Sequence, residues 1–259
     1  MAQFTKQVKA PVLPEVASVI SSINLNILSN DTPYTTTIKE WLKPVIDLSD
    51  FWVYPINGIS EGLNYWMGNE TRAIYKDLGD YEWVDGDFSN GAIKYVSIPS
   101  SIDGNFREIP QDIPVALDIA YVGTTAIQKI DIGKNVEKVF FSLSKPFGLK
   151  NVRTGWYFTR KVDVKLQRLH IKSNYYNYYA HTIAESVIQS FPVDYVYNKF
   201  WKLQTEVCAA HMLTPSNSVW LATSIDHKYK DFRRNNGRLY VKHTEKARLC
   251  ITEFLNDQC

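Results

Sequence analysis

Two short apolar runs, Val115–Leu117 and Val139–Phe141, each end abruptly in a cluster of polar residues. A short apolar run without polar alternation reads as a strand covered on both faces, as in a parallel sheet flanked by helices. In open α/β sheets, ligands and chemistry gather at the carboxyl ends of such strands. The residues that follow each run are therefore the first candidates for function. Asp118 and Tyr121 follow the first run; Ser142, Ser144 and Lys145 follow the second, with Arg153 and Gly155 a short way downstream.

The rest of the composition narrows the field mainly by exclusion. A chain of 259 residues can form one large domain or two small ones. Its 45% hydrophobic and 22% charged content is ordinary for a globular protein. With 29 basic against 27 acidic side chains, a net charge of +2 and no basic block, nothing points to nucleic acid. No run approaches the length of a membrane span, and the N-terminal MAQFTKQVKAPVLPEV lacks the apolar core of a secretory leader. Cys208, Cys250 and Cys259 are an odd set without metal spacing, and the histidines show no H-x-x-x-H pattern. The expectation is a reduced, cytoplasmic protein with no metal site and no membrane or nucleic-acid partner.

Asp118-Ile119-Ala120-Tyr121, Ser142-Leu143-Ser144-Lys145 and Arg153-Thr154-Gly155 form the series D-x-A-Y, S-x-S-K and R-x-G. In this order and at these separations they resemble the cofactor signature of the fold type I pyridoxal-phosphate enzymes, the aspartate aminotransferase superfamily. Ser142 to Lys145 also fits the S-x-x-K of penicillin-recognising enzymes, but the S-D-N and K-T-G partners of that family do not occur.

The resemblance implies a role for each residue. Asp118 would keep the pyridine nitrogen of pyridoxal 5'-phosphate protonated, and Tyr121 would hydrogen-bond the ring oxygen. Lys145 would form the Schiff base and shuttle the α proton, while Ser142, Ser144 and Arg153 would hold the phosphate. Upstream, the apolar 51–55 run leads into Asn57-Gly58-Ile59-Ser60-Glu61, a strand, glycine turn and helix start suited to a phosphate. This is similar to the family's N-G-x-S-E segment, and it nominates Gly58, Ile59 and Ser60. The family's ring-stacking aromatic falls on Tyr81, with Trp83 the alternative. A turn after the 92–98 strand departs from the family's N-P-x-N-P-T-G and offers Ser101 where an asparagine is usual. A late strand supplies the arginine for the substrate α-carboxylate: Arg248 in RLCI, or its competitor Arg238 in GRLYV.

Elsewhere the pattern predicts an apolar segment over 16–27 ending in a turn at 29–33, and a helix over 35–48 strained by Pro44. It predicts strands at 73–76 and 156–159 and a largely helical stretch from 162 to 191. An amphipathic helix over 193–213 carries Tyr197, Phe200, Trp201, Gln204, Cys208 and Met212, and strands follow at 218–223, 238–241 and 247–254. The implied architecture is α/β: a three-layer pyridoxal-phosphate transferase-like large domain with a mostly parallel sheet, plus a small α+β C-terminal domain. Expected boundaries are an N-terminal segment, 1–49, packed on the small domain or a dimer partner, the cofactor-binding domain, 50–165, and a connecting helix with the small domain, 166–259. The implied activity is an aminotransferase acting on amino acid and keto acid substrates as a homodimer with shared active sites. Lyase or decarboxylase chemistry, or a non-catalytic binding or regulatory role on the same scaffold, are the alternatives.

Overall fold

The computed structural model describes residues 2–24, 34–87, 91–173, 175–235 and 243–256. Helices α1 (Pro14–Ser21) and α2 (Tyr34–Leu42) precede β1 (Trp52–Ile56), α3 (Ile59–Asn69), β2 (Ile74–Lys76), β3 (Ile93–Ser97), β4 (Val115–Asp118), β5 (Val136–Ser142) and β6 (Gly155–Thr159). These strands form one six-stranded sheet in the order β1-β6-β5-β4-β3-β2. Pairing is parallel from β2 to β5, and β6 runs antiparallel to both of its neighbours. The two apolar runs of the sequence are β4 and β5, side by side and parallel, as their pattern predicts.

Alternation along each strand sorts the side chains into two buried layers. Val53, Val96, Leu117, Val139, Phe141, Trp156 and Phe158 point to one face, while Tyr54, Tyr95, Ala116, Phe140 and Tyr157 point to the other. Helix α3 covers the second face through Leu63 and Trp66. The first face is covered by α1, α2, α5 (Tyr178–Ser190) and α6 (Tyr195–His211). A sheet buried on both sides is why its strands read as plain apolar runs.

A short helix, α4 (Val164–Leu166), and a π-helical turn at Gln167–Lys172 lead away from β6. The helical stretch expected over 162–191 is interrupted before α5, where the Asn177 side chain accepts the Ala180 N–H and starts a new helix. Helix α2 ends at Leu42, just ahead of Pro44. The 29–33 turn lies outside the described residues.

The C-terminal part pairs β7 (Thr214–Pro215), β8 (Leu221–Ser224), β9 (Arg233–Asn235) and β10 (His243–Cys250) in an antiparallel sheet ordered β7-β8-β10-β9. Strand β8 starts later than the expected 218–223. The strand expected over 247–254 stops at Cys250, where its ladder with β8 ends at Leu221, and α7 (Thr252–Asn256) follows. The 238–241 strand lies outside the described residues. One continuous buried cluster runs from the central sheet through α6 to Leu221 and Leu249 of this second sheet. Among the described residues, no helix is long and apolar enough to cross a membrane.

Helix α6 departs from its expected stripe in an informative way. Phe200 and Cys208 are buried, but Trp201 is largely exposed and Met212 caps the helix in a left-handed conformation. Gln204 is buried to 3% exposure, and its amide nitrogen donates to the carbonyls of Ser216, Ser218 and Leu221 at 2.9–3.0 Å. It therefore holds the loop before β8 rather than filling apolar space. Gln204→Leu keeps the volume but strands the Ser216 carbonyl, while those of Ser218 and Leu221 keep the backbone N–H groups of Leu221 and Ser216, and we expect a loss of about 1–3 kcal/mol in urea unfolding.

Candidate active site

The register of the central sheet brings one end of five strands to a common edge. Ser97 lies opposite Asp118, Asp118 opposite Phe140, Ser142 opposite Gly155, and Gly155 opposite Ile56. The reversed β6 therefore begins where β1, β3, β4 and β5 end. A cleft of roughly 520 Å³ opens at this edge. Gly58, Ile59, Ser60, Tyr81, Ser101, Asp118, Tyr121, Ser142, Ser144, Lys145, Arg153 and Arg248 all line it. The candidates named from the sequence thus reach one cavity, except Gly155, which is not among its lining residues, and Arg238, which lies outside the described residues.

Asp118 is 4% exposed at the end of β4. One carboxylate oxygen accepts the Tyr95 hydroxyl at 2.7 Å and the other the Ala120 N–H at 2.8 Å. Burial raises its pKa to about 6, against the opposing pull of these hydrogen bonds. Lys145 is half-buried, with its ammonium 5.7 Å from the centre of the Tyr121 ring. The Trp220 indole fixes the backbone beneath it by donating to the Lys145 carbonyl at 2.7 Å.

A compact cradle forms beside Lys145. Gly58 opens α3 with φ 85°, a left-handed value that suits glycine, and a Cβ there would stand 3.2 Å from the Arg153 guanidinium. Gly155 is as constrained: a Cβ would lie 2.7 Å from the Phe141 carbonyl and 3.2 Å from the Gly58 Cα. Arg153 itself adopts φ 59°, an uncommon conformation for a side-chain-bearing residue. Ile59 and Ser60, in the first turn of α3 where N–H groups have no intrahelical acceptor, line the same cleft. Cationic guanidinium, helix N-terminus and the hydroxyls of Ser142 and Ser144 together make a donor set for a phosphate dianion.

Beside the cradle, the chain after β2 supplies Tyr81, half-buried and hydrogen-bonded with Ser60. Burial raises the Tyr81 pKa. Trp83, its competitor, is 49% exposed and donates its indole N–H to Asn64, so Tyr81 presents the more enclosed ring. The Ser101 hydroxyl donates to Asp80 at 2.7 Å and its N–H to Ser97 Oγ at 2.7 Å. Arg248 is 3% exposed; its Nη1 donates to the Ser101 carbonyl at 2.7 Å, its Nη2 to the Lys6 carbonyl, and its Nε has no partner.

Several residues of this site carried no sequence signal. Asp80 is wholly buried and accepts from Ser97, Ser101, the Tyr81 N–H and Arg107. Burial works against its ionisation, but Arg107 and the two hydroxyls outweigh it, and its pKa ends below the ordinary carboxylate value. No motif spacing links Asp80 to Arg107. Arg234, Lys150, Gln7 and Val8 also reach the cleft from segments that read as polar surface or N-terminal coil.

No family model matches the sequence, and no curated protein matches it. Solved structures do match the fold. Histidinol-phosphate aminotransferase from Sinorhizobium meliloti, in complex with pyridoxal-5'-phosphate, gives a TM-score of 0.66 at 13% identity, covering 98% of this chain and 88% of that one. An aminotransferase from Staphylococcus aureus gives 0.67 at 12% identity, covering 100% and 91%. A protein named as a PLP-dependent β-cystathionase from Corynebacterium diphtheriae gives 0.69 at 10% identity, covering 95% and 87%. The chain has the fold of the type I pyridoxal-phosphate-dependent enzymes, with the mixed α/β architecture and mostly parallel sheet expected from its sequence.

Two expectations follow from the buried charges. The Asp118 pKa of about 6 stands above the ordinary 3.8, so the native state holds a proton that the unfolded chain has released by that pH. Its stabilising contribution is therefore present below about pH 4 and lost as pH rises through 6. Asp118→Asn should raise the stability of the cofactor-free protein at pH 7 by about 1–3 kcal/mol, a gain that disappears near pH 4 in chemical denaturation. Arg107→Met has the opposite sign: it leaves the buried Asp80 carboxylate without its cation and should cost about 3–5 kcal/mol by the same assay.

Proposed function

We propose that this chain binds pyridoxal 5'-phosphate on Lys145 and transfers an amino group between an amino acid and a 2-keto acid. The observation that carries this reading is the meeting of a desolvated carboxyl, an amine and a phosphate-type cradle in one cleft: Asp118, Lys145, and Gly58 with Arg153. The two glycines leave the cradle open where any side chain would fill it, which fits a phosphate drawn close to backbone N–H groups.

When bound, pyridoxal phosphate supplies an aldehyde that an amine can condense with and a ring that takes up electrons released at the substrate carbon. The chain's own residues do the rest. Arg153, the Ile59 and Ser60 N–H groups and the hydroxyls of Ser60, Ser142 and Ser144 take the phosphate. Asp118, held by Tyr95 and Ala120, keeps a proton on the pyridine nitrogen; Tyr121 donates to the ring oxygen and Tyr81 covers a ring face. Ser101, whose hydroxyl proton goes to Asp80, stands at the cleft wall as a weaker contact. Lys145 Nζ holds the cofactor in the resting protein and carries the proton to and from the substrate Cα. Arg248 takes the α-carboxylate.

The reading includes a division into 1–49, 50–165 and 166–259, and a cytoplasmic homodimer with shared active sites. The free, buried thiols of Cys208 and Cys250 suit a reducing compartment. A lyase is the second reading, favoured by the fold likeness to the β-cystathionase. Appearance of a keto acid together with an aminated acceptor separates transamination from elimination.

The deciding experiment adds pyridoxal phosphate to purified protein, reduces with borohydride, dialyses, and maps the adduct by mass spectrometry. We expect an adduct on Lys145 in the wild type and none in Lys145→Ala, with amino-group transfer by the variant lower by about 10²–10⁴-fold. A wild-type protein that keeps no adduct overturns the catalytic reading.

A further inference from the structure

A buried carboxylate that the proposed reading leaves without a role stands behind the cleft wall. Asp80 is 1% exposed, and its Oδ1 accepts the Ser97 hydroxyl at 2.6 Å, the Ser101 hydroxyl at 2.7 Å and the Tyr81 N–H at 2.8 Å. Its other oxygen is paired with Arg107. Burial opposes its ionisation, but Arg107 and the two hydroxyls hold its pKa below the ordinary carboxylate value. An ionised carboxylate has no proton to give, so both serines must be the donors. Lys76 and Arg234, as cations, and Asp118, as an anion, also interact with Asp80 through charge, and Arg107 is the partner that pairs with it.

A hydroxyl has one proton, and committing it to Asp80 fixes what each serine can offer the cleft. Ser97 Oγ also accepts the Ser101 N–H at 2.7 Å and Arg107 Nη2 at 3.3 Å, so its capacity is filled within the protein. Ser101 lines the cleft, and its Oγ accepts from no donor among the described residues. It therefore meets a ligand as an acceptor alone. Arg248 Nη1 reaches both the Ser101 carbonyl, at 2.7 Å, and the Tyr121 hydroxyl, at 3.5 Å, which brings these two residues to one corner of the cleft. The Tyr121 hydroxyl receives from Arg248, so its own proton is available to a ligand. A group held between Tyr121 and Ser101 thus meets a donor on one side and an acceptor on the other. A neutral hydroxyl satisfies both, whereas an ionised oxygen faces Ser101 lone pair to lone pair.

We propose that Asp80 is a positioning residue: through Ser101 it makes this corner of the cleft a hydrogen-bond acceptor, so that a pyridoxal ring bound here keeps its ring oxygen as a neutral hydroxyl, which accepts from Tyr121 and donates to Ser101. This rests on the cofactor reading and on its assignment of Tyr121 to the ring oxygen. A carboxamide at position 80 reverses the relay: Arg107 donates to the amide oxygen, and the amide NH2 donates to the serines, whose protons then turn toward the cleft.

The test reads the charge of the ring rather than turnover, since the neutral and ionised ring absorb at different wavelengths. Absorbance spectra at pH 7 are taken on the full chain purified with pyridoxal phosphate, as wild type, Asp80→Asn and Ser101→Ala. The wild type is expected to show the neutral form in excess. Asp80→Asn should raise the ratio of ionised to neutral ring at least about 10-fold, the size of one charge-assisted contact. Ser101→Ala should raise it about 2–10-fold, as for one neutral hydrogen bond, with no change in the charge of the protein. A wild type with the ionised ring in excess overturns the proposal. So does a ratio that Asp80→Asn leaves unchanged or lowers, which makes the Asp80–Arg107 pair a structural tie alone. A shift in Asp80→Asn that Ser101→Ala does not share also overturns it, since the field of Asp80 acting on Asp118 is then the cause and Ser101 is no acceptor. If Asp80→Asn does not fold, the wild-type ratio and Ser101→Ala still decide the matter. Failure of the cofactor reading shows separately, as absence of the borohydride-stable Lys145 adduct in the same preparations.

Discussion

The approach of Gly155 to Gly58 is the contact on which the site depends. It joins the start of the antiparallel β6 to the glycine that opens α3: a β-carbon on Gly155 would stand 3.2 Å from the Gly58 Cα and 2.7 Å from the Phe141 carbonyl, and one on Gly58 3.2 Å from the Arg153 guanidinium. Because β6 is reversed, its first residue arrives at the edge where β1, β3, β4 and β5 finish. Arg153, two residues before Gly155, is thereby laid across the N-terminus of α3. The left-handed backbone of Arg153 is the local cost of that placement, and the strand pairs on both sides of β6 are what can hold it.

A second constraint acts through charge. Asp118 and Asp80 lie near one another in the same buried layer, yet their titration shifts in opposite directions. Asp80 has Arg107 beside it and is satisfied within the protein. Asp118 has a phenol and one backbone N–H, which suffice to orient it but not to offset its desolvation. A structural carboxylate is matched by its own chain, whereas one awaiting a cationic ligand is left short of partners. The same contrast separates Arg107, paired with Asp77 and Asp80, from Arg248, whose Nε has no partner.

The central sheet was legible in the sequence because burial on both faces writes strands as apolar runs, and the turn residues after β4 and β5 follow those runs directly. The cradle at Gly58 and Arg153 was legible for a different reason: glycines and an arginine at fixed positions leave a motif. The second sheet was not. Strand β9 reads Arg-Arg-Asn, with no apolar pattern, and is a strand because β10 gives it a ladder partner. Arg234 was missed for that reason. The Asp80–Arg107 pair, Gln204 as a loop anchor, and the helix at Thr252–Asn256 each depend on where distant segments come to rest, which residue periodicity does not record.

The ends of the described chain meet at the cleft. Thr5 and Cys250 form a β-bridge, Gln7 and Val8 line the cavity, and Arg248 is tied both to the Lys6 carbonyl and, across the site, to Ser101. During synthesis the central sheet can assemble once β6 has emerged, but the cleft wall then lacks its last strand. The pocket gains its final shape only when residues near 250 leave the ribosome and capture the segment around Thr5. Ligand loading on this chain therefore waits for a strand that is made long after the segment it pairs with.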